Sequence, residues 1–368
     1  MRLNVPVLGL EELEAVGRVL ESGYLTQGKV TEEFERAVAD YVGAEAAFAV
    51  SSATTGLQLS LHALGIKPGD EVLMPAFSFP ATANSVIQHG AVPVFVDTLR
   101  DTFALDPAAL DEAVTPRTAA IMPVHPFGLC ADMDAINAVA DKHGLVVVED
   151  SACALTATYQ GRQAGVLGKA GVFSFHPRKI ITTGEGGVIT TNDGAMIDRL
   201  RILRSHGSVR GELYLEFVDA GYNYRMSDVQ AAIGVVQMER LPDIARNRAK
   251  MAAELTSVLA DVPRLRTPVV PEGLTHSFQS YVVMLDDDVD RDAVIRSTRA
   301  AGVETTLGTY GMHLQPYFAD RFRYTPEQFP EATRAHRQAL TLPLHSKLVR
   351  RDLEEVATVL QASLASVA

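Results

Sequence analysis

Cysteine is scarce in this 368-residue chain: Cys130 and Cys153 are its only two, and they stand apart in the sequence. No CxxC pair or His/Cys cluster accompanies them, which argues against a zinc site or a disulfide framework. Two thiols without a framework fit a reducing cytoplasm. Basic residues are also in deficit. Lys and Arg number 33 against 45 Asp and Glu, giving a net charge of −12 and a pI near 5.3. Nucleic-acid binding, which needs a basic face, is therefore not expected. No run of about 18 apolar residues occurs, so no membrane span is expected. The opening stretch MRLNVPVLGLEELEAV has no long apolar region or cleavage site, so no secretory leader is expected. The glycine fingerprints GxxxxGK[ST] and GxGxxG are missing, which disfavours a nucleotide loop or a nicotinamide enzyme. No long-period repeat or low-complexity tract is present.

What is present describes a globular protein. Hydrophobic residues make up 47% and charged residues 21%, enough for a sizeable core. The length implies one large and one smaller domain. Short apolar runs at 71–75, 92–97, 119–125, 144–150, 170–175 and 186–191 read as strands. Residues 10–21, 31–42, 80–90, 106–113, 131–143 and 193–204 read as helices. This alternation predicts an α/β fold with a mostly parallel central sheet. Helices are expected at 226–240 and again at 241–260. Beyond 261 a proline-rich entry leads to a strand at 279–285 and helices at 290–301 and 350–365. The reading is a large domain over 1–240 and a smaller C-terminal α+β domain over 241–368.

Several polar residues fall at strand ends, where open α/β sheets bind ligands. Asp150 ends the apolar run GLVVVE, where a carboxylate is costly without a cationic or proton-donating partner. A protonated pyridine nitrogen is one such partner; the other reading is an Asp that caps the following turn. Lys179 lies in FSFHPRKIITTGEGG, presented from a loop after a strand; a lysine that attacks a carbonyl must be neutral, which burial or a cationic neighbour favours. Taken alone it reads rather as an ordinary surface lysine beside a glycine-rich turn. SSATTGLQLSLHALG opens a helix whose N-terminus is a ready anion site, although Thr54 and Thr55 also fit plain caps. PAFSFPATAN offers Phe77 and Phe79 for stacking on a flat ring or for the core.

The segments SSATTGL, PAFSFPATANSV, PVHPFG, VVEDSACAL, FSFHPRKIITTGEGG, LRSHGS and GYNYRMSDVQAAIGVVQMERL occur in this order. Together they resemble the DegT/DnrJ/StrS family of sugar aminotransferases, and the likeness spans nearly the whole chain. The resemblance implies the type I fold of enzymes dependent on pyridoxal 5'-phosphate (PLP). It implies that Lys179 holds the cofactor as a Schiff base and later moves the proton. Asp150 is then the partner of the pyridine nitrogen, and Phe79 stacks on the ring. Ala53, Thr54 and Ser174 hold the phosphate, and Asn223 reaches the phosphate of a neighbouring subunit, so a homodimer with shared sites is implied. Cys153 stands where the family has Gln or His against the ring hydroxyl; a thiol is a weaker donor. Arg178 sits where a small residue is common and either meets a substrate phosphate or faces solvent.

The implied reaction passes an amino group from an amino acid, by family precedent L-glutamate, to a nucleotide-linked keto sugar. The loop HPRKIITTGEGG and the segment GYNYRMSD resemble relatives that aminate C4 of 4-keto-6-deoxy sugars. Keto-cyclitols and 3-keto sugars are alternative acceptors. Tyr24 and Thr26 in the turn 23–28, with Tyr310 and His313, are candidate sugar contacts, or else a turn and a core-edge pair. A sugar dehydratase is disfavoured by the presence of Lys179, and a non-catalytic PLP-binding regulator rests on Cys153 alone.

Overall fold

The structure, a computed structural model, describes residues 1–367. Its centre is a seven-stranded sheet formed by β1 (Ala46–Val50), β2 (Glu71–Pro75), β3 (Val92–Val96), β4 (Thr118–Ile121), β5 (Val146–Asp150), β6 (Ala170–Ser174) and β7 (Gly187–Thr191). The spatial order is β1-β7-β6-β5-β4-β2-β3. Strands β3, β2, β4, β5 and β6 pair in parallel, and β7 runs antiparallel between β6 and β1.

Strand alternation divides this sheet between two cores. Val72, Met74, Val148, Val172 and Ile189 face one side, with Leu57, Leu59 and Leu61 of α3 (Ala53–Ala63) and with α4 (Ala81–His89). Leu73, Ile121 and Val147 face the other, against α5 (Met133–His143). Phe173 and Val188 face that side too, against Phe34 and Val38 of α2 (Lys29–Val42). Both faces are covered, so the strands read as continuous apolar runs. Gly56 lets α3 lie close to the sheet: a Cβ there would meet Val172 Cγ1 at 2.8 Å.

One expectation is overturned between 226 and 260. A single helix of 32 residues, Asp228–Leu259, replaces the two expected, and Pro242 lies inside it. Up to Ile244 it packs through Ala231, Met238, Leu241 and Ile244 on the core beside the central sheet. Its second half packs through Met251, Leu255 and Leu259 on a second core. Burial on both sides of Pro242 outweighs the one backbone hydrogen bond the proline removes. Residues 240 and 241 therefore fall within a continuous helix.

The smaller layer is an antiparallel sheet of β8 (Leu265–Arg266), β9 (Tyr281–Leu285), β10 (Thr306–Leu307) and β11 (Ala339–Leu342), in the order β8-β9-β11-β10. Residues 1–3 also join this layer, with Glu304 N donating to Met1 O and Leu344 N to Leu3 O. A return segment, Tyr310–Gly311, pairs antiparallel with Phe77–Ser78 of the large unit.

Candidate active site

Strand alternation separates two adjacent acids at the end of β5. Asp150 shares the face of Val148 and points toward α4; Glu149 shares the face of Val147. Asp150 is 6% exposed. Its Oδ2 accepts from Thr82 Oγ1 at 2.7 Å and its Oδ1 from Ala152 N at 3.2 Å. Thr82 has one proton and gives it to Asp150, so the Ser78 hydroxyl, 2.8 Å from Thr82 Oγ1, donates to Thr82. The backbone at Asp150 is clamped, donating to Pro123 O and accepting from His125 N.

Glu149 is sealed on the opposite face. Its oxygens accept from Leu167 N, Gly168 N and Gly165 N and lie 2.9 Å from His125 Nε2. Ala131 N donates to His125 Nδ1, so Nε2 is the protonated nitrogen and donates to Glu149.

Lys179 lies between β6 and β7 on a tethered loop. Gln279 Nε2 donates to Arg178 O and Asn4 Nδ2 to Pro177 O. Thr182 Oγ1 donates to Phe175 O, and Lys179 N to His176 O. The amine is aimed inward, with Nζ donating to Cys153 Sγ at 3.1 Å. Cys153 in turn is held through its carbonyl by Ser277 Oγ at 2.8 Å.

The N-terminus of α3 completes a corner of the site. Ser52 caps it, accepting from Thr55 N. The N–H groups of Ala53 and Thr54 have no intrahelical acceptor, which leaves them for an anion. Ser174 pairs with Gly187 across the sheet, and a Cβ on Gly187 would lie 2.5 Å from Ala53 N. That close approach brings Ser174, Ala53 and Thr54 to one corner. Phe79 is 63% exposed, its ring centroid 6.3 Å from that of Tyr310; the pairing of Tyr310 with Ser78 sets this neighbourhood.

Other expected residues lie outside this group. In GYNYRMSD, Tyr222 and Tyr224 stack at 4.6 Å, and Tyr224 OH donates to Gln58 Oε1. Asn223, between them, projects into solvent. Tyr24 and Thr26 are exposed, and neither side chain hydrogen-bonds to Lys179, Asp150 or Cys153 among the described residues. Arg178 is exposed and lines a cleft of about 560 Å³ with Arg2, Arg299 and Thr306. His313 needs correction as a sugar contact. It is 1% exposed, 2.8 Å from Thr333 Oγ1 through Nε2 and packed on Phe329. Burial lowers its imidazole to about 4, so it is a neutral core residue.

Thr82, Ser78 and His125 were not singled out from sequence. The signal for Thr82 was available: it stands one turn after Phe79 in PAFSFPATAN. Among the described residues no His, Cys, Asp and Glu cluster could hold a metal ion, and no helix is long and apolar enough to cross a membrane.

Comparison with known proteins adds an independent line. Residues 6–361 match a family model described as the DegT/DnrJ/EryC1/StrS aminotransferase family. GDP-perosamine synthase of Caulobacter vibrioides is 40% identical over 363 residues, which cover 98% of this chain and 97% of that protein. The crystal structure of the aminotransferase TlmJ from Streptoalloteichus hindustanus superposes with a TM-score of 0.93 at 38% identity, covering 100% and 99% of the two chains. The PLP-form of Spr1654 from Streptococcus pneumoniae superposes with a TM-score of 0.96 at 28% identity, covering 100% and 99%.

Proposed function

Since the chain belongs to the DegT/DnrJ/EryC1/StrS aminotransferase family, we propose that it moves the amino group of L-glutamate to the keto carbon of a nucleotide-linked 4-keto-6-deoxy sugar. It is a sugar aminotransferase of the type I fold, and its cofactor is pyridoxal phosphate. The residues present fit that group. Asp150 is a nearly buried carboxylate with spare acceptor capacity, Lys179 offers an inward-facing amine, and the corner at Ala53, Thr54 and Ser174 offers donors to a phosphate. The meeting of Lys179 and the Asp150 turn at the C-terminal ends of β5 and β6 carries the reading.

When bound, pyridoxal phosphate supplies a carbonyl that takes up the amino group and a protonated ring that withdraws electrons. In this proposal Asp150 keeps the ring nitrogen protonated, and Thr82 and Ala152 N orient its carboxylate. Lys179 Nζ anchors the cofactor and then acts as acid and base in both half-reactions. Cys153, in contact with Nζ, would serve the ring hydroxyl. Phe79 would cover one ring face, and its exposure leaves it free to do so. Asn223 serves the phosphate of a second subunit in a homodimer; its outward projection supports that role. Tyr310, beside Phe79, is the best-supported sugar contact, with Tyr24 and Thr26 as further ones. Arg178 meets a substrate phosphate, supported by the cleft it shares with Arg2 and Arg299, where three guanidinium groups outnumber the one carboxylate, Glu304. Two free thiols fit a cytoplasmic location.

The choice of a 4-keto acceptor is supported by the loop HPRKIITTGEGG and by the likeness to an enzyme named GDP-perosamine synthase. Running the reaction in reverse, with 2-oxoglutarate and a panel of nucleotide-linked amino sugars, tests it. Turnover should be fastest with 4-amino-6-deoxy sugars. Preference for a 3-amino sugar or an aminocyclitol would overturn the acceptor assignment.

A further inference from the structure

The two cysteines differ in access. Cys130 is 2% exposed, and burial pushes its thiol far above the usual range; such a thiol is inert. Cys153 is only partly buried, and its Sγ lies 3.1 Å from Lys179 Nζ. The backbone on both sides of this contact is fixed. Ser277 Oγ holds Cys153 O, and Gly128, at φ 103, leaves room for the same carbonyl, which a Cβ would approach to 2.8 Å. On the other side, Lys179 N donates to His176 O. A reachable thiol and a primary amine thus meet in direct contact within one chain, each on an anchored stretch of backbone.

The geometry points to Cys153 and Lys179 as an oxidative cross-linking site that takes hydrogen peroxide as its oxidant. In the first step the thiol is oxidised to a sulfenic acid; the O–O bond of peroxide breaks, one oxygen goes to sulfur and the other leaves as water. In the second, unprotonated Nζ attacks the sulfenic sulfur. An N–S bond forms, the S–O bond breaks, and the departing oxygen leaves as a second water with a proton from the nitrogen. The product is a sulfenamide two hydrogens lighter than the starting pair, analogous to the condensation of a sulfenic acid with a backbone nitrogen. A thiol reductant reverses it: one thiol attacks sulfur and releases the amine, and a second resolves the mixed disulfide. The cross-link occupies the amine that anchors the cofactor. That consequence rests on the role proposed for Lys179, whereas the cross-link itself does not.

The full-length chain, stripped of cofactor or loaded with pyridoxal phosphate, is treated with hydrogen peroxide and digested without reductant for peptide mass spectrometry. The stripped chain should yield linked peptides carrying Cys153 and Lys179, two hydrogens below their summed mass, that separate in dithiothreitol. Cys130 should stay unmodified. Lys179→Arg should lose the linked pair and leave Cys153 as a sulfenic acid trapped by dimedone. Wild-type Cys153 found unmodified, or only as its sulfenic, sulfinic or sulfonic acid, overturns the proposal. Linked peptides should be lost from the loaded chain. Equal yields there would uphold the cross-link and overturn the role of Lys179 as anchor.

Discussion

Glu149 and Asp150 end the same strand and are held in opposite ways. Glu149, 0% exposed, receives three backbone N–H groups and the His125 ring. A carboxylate has about four lone-pair sites, so this one is saturated. Asp150 receives one hydroxyl and one N–H and keeps acceptor capacity on the face of α3 and α4. The saturated acid ties β5 to the 165–168 loop and to His125, whose N–H also holds the Asp150 carbonyl. The unsaturated acid is the one the proposed function draws on. One carboxylate is a structural knot and its neighbour keeps room for a further partner, and a one-residue step along a strand decides which is which.

The largest expected effect lies at the reagent these acids frame. Lys179→Ala should lower turnover by about a thousandfold or more and abolish covalent cofactor, with an unchanged circular dichroism spectrum. Asp150→Asn should lower turnover by roughly a hundredfold with only a small drop in melting temperature, since an amide oxygen still accepts from Thr82 and only Ala152 N loses its acceptor. Glu149→Gln should invert that pattern. An amide nitrogen would face N–H donors, costing about 3 kcal/mol in denaturant unfolding, while turnover per folded molecule holds. Equal effects of the two acid substitutions on turnover would erase the distinction. Thr82→Val removes one hydrogen bond to Asp150, worth about 1–2 kcal/mol, and should lower turnover about tenfold.

The smallest effect on turnover concerns His313, outside the cluster. Its imidazole is lowered to about 4 in the folded chain from 6.5. Between those values the unfolded chain binds a proton that the folded chain does not. Stability should therefore fall as pH drops from 6.5 toward 4, by at most about 1.4 kcal/mol per pH unit. His313→Gln should flatten the curve in that window, as read by melting temperature against pH.

Much of this was legible in the sequence for physical reasons. The strands buried on both faces announce themselves as apolar runs, and Asp150 stood out because a carboxylate closes one of them. Glu149 was passed over because its partners come from residues 125 and 165–168, which no local pattern joins to it. The helix break expected between 240 and 241 failed because local sequence signals do not register packing on two cores, which acts along all of Asp228–Leu259. His313 looked available as a polar residue near Tyr310, but only the fold shows it against Phe329. The position of Asn223 between two inward tyrosines required knowing that this segment runs extended along α3.

The central claim is that Lys179 and Asp150 together perform amino transfer. The most direct test records the visible absorption of the purified, PLP-loaded enzyme before and after addition of L-glutamate. The account predicts that the band of the lysine-bound cofactor disappears and that of the amine form replaces it, with Asp150→Asn slowing the change. A wild-type chain that binds no chromophore when PLP is supplied, or whose band is unmoved by any amino donor, would contradict it.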